Sequence, residues 1–330
     1  MGIRVLKGGM MTTVQDLGRT GYQSQGFSVS GVMDVRSFKI ANLLLDNPEN
    51  EAVLEFTLIG PTLEFTSETI ISITGGDFRP QINGKPAKMY TAIYMHRGDI
   101  LTFGGARGYI AFSSYLDVPV VMGSRSTNIK CQIGGYKGRK LEDEDYIAFR
   151  AKRRYLPYYL SRSLDLDEFD QEKITLRVVM GPQEKMFTKE GRETFLNSEY
   201  TVTSEFDRMG CRLEGPFIAY KTTSDIISDG IAFGSVQVPS HGKPIILLAD
   251  RQTTGGYAKI ATVVSVDIPK LVQRKTEQKV RFQAVSVEEA QKLLADEMKE
   301  LNDFRSQIYT PCKEVLDCRL VAKRISTLFK

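Results

Sequence analysis

Residues 249–257 read Ala-Asp-Arg-Gln-Thr-Thr-Gly-Gly-Tyr, a concentration of polar groups behind a short apolar run at 244–248. Asp250 offers an acceptor, Arg251 a planar fork of donors, Gln252 an amide, and Thr253 and Thr254 hydroxyls. Gly255 and Gly256 let the backbone turn tightly or come close to a ligand before Tyr257. An Arg fork beside hydroxyls and open backbone amides suits a carboxylate or phosphate. The alternative is a hairpin turn with an Arg–Asp pair and solvated threonines.

Three other stretches carry the same residue types. Gln15, Asp16 and Arg19 gather with Thr12 and Thr13 around Gly18. Gly-Ser-Arg-Ser-Thr at 123–127 places Arg125, Ser126 and Thr127 after an apolar run read as a strand, an arrangement suited to an oxyanion or to an exposed turn. Asp207, Arg208 and Arg212 lie within six positions, where an Asp207–Arg208 or Arg212–Glu214 pair is the plainer reading. Asp34, behind Ser30-Gly31, suits a helix N-cap, and a helix N-terminus can also receive an anion.

Other chemistries are set aside by what is missing. The Walker pattern Gly-x-x-x-x-Gly-Lys-Ser/Thr occurs nowhere. With His96 and His241 the only histidines, a multi-histidine metal centre is excluded and a Ser-His-Asp triad disfavoured. Cys131, Cys211, Cys312 and Cys318 lack metal-like spacing and read as reduced structural thiols. The 44 Lys and Arg against 40 Asp and Glu give a net charge of only +4, without a basic stripe, so no nucleic-acid partner is expected. No signal peptide is legible, and no run approaches the ~18 apolar residues of a membrane helix. A cytoplasmic chain without a membrane partner is the expectation.

The elements that must position these groups are mainly β. Short apolar runs recur between turn signals from residue 52 to 149, suggesting a barrel or sandwich. A helix is expected from 35 to 46, with Phe38, Ala41 and Leu45 on one face and Asn47-Pro48 as its stop. The charged stretch 151–172 reads as a linker between domains at 1–150 and 173–330. Ser286 and Glu289 spell a capping box for a last helix, whose stripe of Val287, Ala290, Leu294, Met298 and Leu301 reads as packing.

Taken in order, Thr-Thr-Val-Gln-Asp-Leu-Gly-Arg (12–19), Ser-Gly-Val-Met-Asp (30–34), Ala-Asn-Leu-Leu (41–44), Gly-Ser-Arg-Ser-Thr (123–127), Asp-Arg-Met-Gly-Cys-Arg-Leu (207–213), Gln-Val-Pro (237–239) and the 249–257 stretch closely resemble the allophanate-hydrolase-subunit-2-like, or biotin-dependent carboxyltransferase-like, family. The resemblance implies a mainly β chain of two tandem cyclophilin-like β-barrel domains. It also implies a role as the C subunit of an ATP-dependent 5-oxoprolinase that opens 5-oxoproline to glutamate. The implied partners are a KipI-like B subunit, a LamB/YcsF-type A subunit and a small-molecule amide substrate. ATP would be used by the complex.

The same resemblance admits two alternatives: a KipA-type regulator that antagonises a KipI-like kinase inhibitor, and a biotin-dependent carboxyltransferase acting on an amide such as urea. No biotin would be attached to this chain, which lacks the Met-Lys-Met carrier signature. On the enzyme-subunit reading Asp16, Arg19, Asp250 and Arg251 are catalytic. Gln15, Asp34, Arg125, Ser126, Thr127, Asp207, Arg208, Arg212, Gln237, Gln252, Thr253, Thr254, Gly255, Gly256 and Tyr257 line the substrate cleft. No metal ligand is expected. Two departures stand out: Ser114-Tyr115 where the family usually has Gly-Gly, and Glu142-Asp143-Glu144-Asp145 where Gly-Asp is usual. The first is read as narrowing a pocket.

Overall fold

A computed structural model describes residues 1–105, 107–152, 155–166 and 173–310. Parts of the linker, and Cys312 with Cys318, lie outside the described residues. In the first half, alternating and continuous apolar runs build two antiparallel sheets over one core. One sheet orders the strands Tyr146–Ala148, Gly2–Lys7, Thr62–Phe65, Ile100–Thr102, Gln81–Ile82 and Lys85–Pro86. The other orders Met11–Gln15, Val53–Thr57, Gly108–Phe112, Thr69–Gly75 and Ala92–Met95. Ile3 and Val5 from the first meet Leu54, Phe56, Ile73 and Ile110 from the second. Helix α1 (Val35–Leu44) covers the outer face of the second sheet, where Phe38 and Ala41 pack on Val53, Tyr109 and Ala111. That sheet is therefore buried on both faces, and its strands carry apolar and small polar residues rather than a charged outer face, Glu55 excepted.

The second half is a closed barrel of seven strands: Lys173–Met180, Lys259–Val263, Ser235–Gln237, Ile245–Leu247, Gly210–Glu214, Glu199–Phe206 and Lys279–Ala284. The last returns to the first as a parallel pair. Helix α2 (Lys189–Asn197) starts at the Thr188 cap and presents Phe195, which stacks on Phe282 at 4.4 Å. Helix α3 (Ile268–Val272) and helix α4 (Val287–Ile308) follow, the latter with the expected Ser286/Glu289 capping box.

Several expectations change. The stretch 12–15 is not loop but strand, pairing with Val53–Thr57, so Thr12 and Thr13 are buried in the sheet. Residues 118–122 form no strand; Val121 and Ser124 make only an isolated bridge. The α4 stripe is largely in solvent, with Val287 51 % and Met298 56 % exposed. Its apolar packing is concentrated near the end of the helix, through Leu301, Phe304 and Ile308. Among the described residues no helix is long and apolar enough to cross a membrane.

The two halves interlock at residues 28–34. Met33, from the first half, is buried in the core of the barrel beside Val236 and Ile246. Its backbone N–H donates to Glu55 at 2.8 Å, and the Gly31 carbonyl accepts from Arg208 at 2.5 Å. At this segment an apolar plug and a set of charged ties hold the junction, and Ile308 of α4 adds apolar packing against Ile40 and Leu44.

Candidate active site

Asp16 follows the strand Met11–Gln15 and organises the loop opposite. Its Oδ1 accepts from the Gly18 N–H (2.8 Å) and from the hydroxyls of Ser124 and Ser126 (both 2.6 Å), and its Oδ2 accepts from the Arg125 N–H at 2.6 Å. A carboxylate so fully bonded holds a loop in shape. Thr127 donates its hydroxyl to the Val14 carbonyl at 2.9 Å. Gln15 Nε2 donates to Thr13 Oγ1 (3.0 Å) and the Thr127 carbonyl (3.2 Å), while its buried Oε1 has no partner among the described residues. The hydroxyls of the 123–127 loop are thus turned inward.

Arg19 lies beneath that loop, 1 % exposed, with Nη2 donating to the Ser126 carbonyl. Among the described residues its Nε and Nη1 have no hydrogen-bond partner. Burial lowers its pKa, and Asp16 and Asp250 act in the opposite sense. Arg125 is half-buried, its Nε is buried without a partner, and among the described residues no carboxylate pairs with it.

Across the junction stands Arg208, 8 % exposed, at the turn between the strands Glu199–Phe206 and Gly210–Glu214. Its Nε and Nη2 grip Asp250 at 2.8 and 3.2 Å, and its Nη1 donates to Glu55. Burial works against the charge, but Asp250 and Glu55 outweigh it and raise the Arg208 pKa above its ordinary value. Removing one member of such a buried set leaves an uncompensated charge. Asp250 keeps its side chain 13 % exposed, against 2 % for Glu55, so it is the more accessible acid of this set.

Arg251 is differently occupied. Its Nε and Nη1 donate to the carbonyls of Ile231 (3.1 Å) and Leu248 (3.2 Å), and its guanidinium lies over Phe233 at 5.6 Å. Burial lowers its pKa. Its own carbonyl accepts from Ser28 of the other half at 2.7 Å.

The glycines beyond it do not form the expected turn. Thr254–Tyr257 is a strand paired with Asp225–Gly230. A Cβ at Gly255 would sit 2.7 Å from Ile231 Cδ1 and 2.8 Å from Gln237 Nε2, so these two side-chain ends would have to shift to admit one. Gln237 donates to the Tyr257 carbonyl at 3.4 Å, Gln252 and Thr254 are exposed, and the Thr253 carbonyl accepts from the Ile231 N–H.

The remaining expected residues lie elsewhere or do other work. Arg212 is on the barrel surface, paired with Glu205 at 3.0 Å rather than with Glu214. Asp207 is exposed and caps its own turn, accepting from the N–H groups of Met209 and Gly210. Asp34 is the N-cap of α1, accepting from Ser37, and also accepts from Gln273 of the other half at 3.0 Å. Ser114 bonds Thr69 at 2.9 Å and Tyr115 sits under Arg150 at 5.2 Å, both within the first half and not at the junction. Tyr115 has φ +55°, the region that favours glycine. In the acidic departure, Asp145 forms a two-point pair with Arg139 at 2.6 and 2.8 Å.

Sequence reasoning missed Glu55, Arg107, Tyr109 and Gln273. Glu55 accepts from Tyr109 Oη at 2.9 Å and from Arg107 at 3.4 Å, and Arg107 also donates to the Val272 carbonyl across the junction at 3.2 Å. Burial, then the nearness of Glu55, pushes the Tyr109 phenol well above its usual range. The available signal was a glutamate inside the apolar run Val53-Leu54-Glu55-Phe56, a charge with no reason to be buried unless paired.

With this geometry in hand, the chain can be set beside known proteins. Residues 25–284 match the family described as carboxyltransferase domain, subdomain A and B. The chain is 33% identical over 308 residues to the 5-oxoprolinase C subunit of Escherichia coli, spanning 90% of this chain and 96% of that one. It is 34% identical to the 5-oxoprolinase C subunit of Haemophilus influenzae, over 85% of this chain and 90% of the relative. Among solved structures, the urea amidolyase of K. lactis superposes with a TM-score of 0.84 at 29% identity, over 92% of this chain and 20% of that one.

Proposed function

The chain belongs to the family of carboxyltransferase domains, subdomains A and B, and from that footing we propose that it serves as the C subunit of an ATP-dependent 5-oxoprolinase. Its partners on this reading are KipI-like and LamB/YcsF-type proteins, and its substrate is the cyclic amide 5-oxoproline. The observation that carries the proposal is the two-way overlap with the Escherichia coli C subunit, 90% of one chain against 96% of the other.

The chemistry follows from which groups at the junction are free. Arg208 is fully engaged and acts as a positioning residue, fixing both oxygens of Asp250. Asp250 is then the acceptor for a proton or hydrogen bond from the amide or from the attacking water. Arg125, without a carboxylate partner, is the group suited to an anionic part of the substrate. Arg19 and Asp16 hold the loop that carries Arg125, and Arg251 holds the segment that carries Asp250.

The hydroxyls of this loop are not free to receive the phosphates of ATP. Ser124, Ser126 and Thr127 commit their hydroxyls to Asp16 and Val14, leaving none to cradle a phosphate. On this reading nucleotide binding falls to a partner protein.

The test is glutamate formation from 5-oxoproline and ATP by the three purified proteins, with this chain present or omitted. Turnover that requires the chain is expected; an equal rate without it overturns the proposal. The superposition with urea amidolyase favours a second reading, carboxyl transfer from biotin borne on another protein. Avidin separates the two, since it would block only the biotin-dependent reaction.

A further inference from the structure

The barrel strand Lys259–Val263 opens with a lysine that the proposed chemistry does not use. Lys259 is 4 % exposed between Ala258 and Ile260, and a lysine so buried needs a partner. Its Nζ donates to Asp229 Oδ2 at 2.8 Å and to the Gly230 carbonyl at 3.1 Å. Gln183 joins them: its Nε2 donates to the same Asp229 oxygen at 3.3 Å, and its Oε1 accepts from the Lys259 N–H at 3.2 Å. The hydrogen bond from Lys259 is the foremost cause holding the Asp229 carboxyl below its usual range.

What these bonds fasten is the two-stranded ribbon of Asp225–Gly230 and Thr254–Tyr257. Much of it stands in solvent: Ile227 is 96 % exposed, and Asp225, Ser228 and Thr254 are exposed too. Ile226 packs on the barrel core, but the Asp229–Gly230 end of the strand is exposed and held by polar ties. From that end the bonding runs on toward the candidate site. Gly230 pairs with Thr254, and the Ile231 N–H donates to the Thr253 carbonyl at 3.0 Å. Gln252, Thr253 and Thr254 bring an amide and two hydroxyls to the chain directly after Asp250.

We propose that the ribbon is a wall of the cleft beside Asp250 and that Lys259 is the positioning residue that latches it, a role resting on the reading that this cleft takes 5-oxoproline. Both of the groups that Lys259 holds lie at the surface, Asp229 with its side chain 53 % exposed, so water can replace the ammonium at each. Removing the lysine charge therefore leaves no buried ion unpaired, unlike removal of Arg208. The chain keeps its fold, and the segment 252–257 loses a fixed point.

Lys259→Met keeps an unbranched side chain in place and removes its donors. Hydrogen–deuterium exchange of the full chain, read on peptides covering 225–231 and 251–257, should be about tenfold faster than in the parent. Ile227→Ser, on the same strand, should exchange as the parent does. In the reconstituted complex Lys259→Met should raise KM for 5-oxoproline by about tenfold and leave kcat near the parent's, since Asp250 keeps its hold on Arg208 while the wall beside it loosens. A pair that only stabilised the barrel would lower the melting temperature and move neither reading. Exchange no faster in Lys259→Met overturns the proposal whatever the complex does, and a parental KM beside faster exchange overturns the role in binding. A parent complex that makes no glutamate counts against the function proposed for the chain, and the exchange comparison then decides the latch alone.

Discussion

Arg208 and Arg251 show how far residue type underdetermines role. Both are buried arginines flanked by acids in the sequence, yet Arg208 grips two carboxylates while Arg251 bonds two backbone carbonyls. The sequence offered the fork and could not say what would fill it, because Glu55 lies 153 positions from Arg208. Asp16 was legible as a site acid, but its four donors come from the strand's own end and from a loop more than a hundred positions away. Arg251→Lys keeps the charge and loses the fork that reaches Ile231 and Leu248. It should lower stability by about 1–2 kcal/mol and leave the rate of the folded complex near that of the parent. Melting curves beside glutamate assays check this; a large fall in rate at unchanged stability would move Arg251 into the chemistry.

At the scale of elements, caps and stops were readable because they are local. Asp34 and the Ser286/Glu289 box stand where their side chains reach the first helical turn. The α4 stripe misled because helical periodicity states which residues share a face and not whether anything covers it. The strand Thr254–Tyr257 was hidden since Gly-Gly signals a turn, whereas here both glycines lie in a strand, with Gly255 alone close to the Ile231 and Gln237 side chains.

Asp267, at the start of α3, supplies a test at this scale. Burial opposes its charge, but bonds from Arg177 at 2.6 and 2.8 Å and from Lys270 at 2.8 Å prevail and hold its pKa below the usual value. A depressed pKa contributes stability above the unfolded value of about 3.9, and that stability is lost as pH falls through the folded pKa. Asp267→Asn should cost about 2–3 kcal/mol near pH 6, with the gap to the parent closing below about pH 4. Urea midpoints of both proteins across that range check it; a gap independent of pH would deny the ion pair this role.

For the whole molecule, the β-rich class and the two-part division of strands were legible from short apolar runs and a charged link. What was not legible is that the parts share a core. Met33 belongs by sequence to the first half and by packing to the barrel. Truncating it removes the plug while leaving the charged ties, so Met33→Ala should destabilise by about 2–5 kcal/mol and split a single melting transition into two. A single transition retained in calorimetry would mean that the charged ties and the packing of α4 on α1 suffice to couple the halves.

The role given to the junction depends on Asp250 meeting the substrate there while Arg208 holds it. The direct measurement is kcat/KM for 5-oxoproline in the reconstituted complex carrying Asp250→Asn, with co-elution of its component proteins verified. The expected result is a fall of ~10²-fold or more in a complex that still assembles. An unchanged kcat/KM would contradict this role and leave the Arg208–Asp250–Glu55 set as a clasp between the halves.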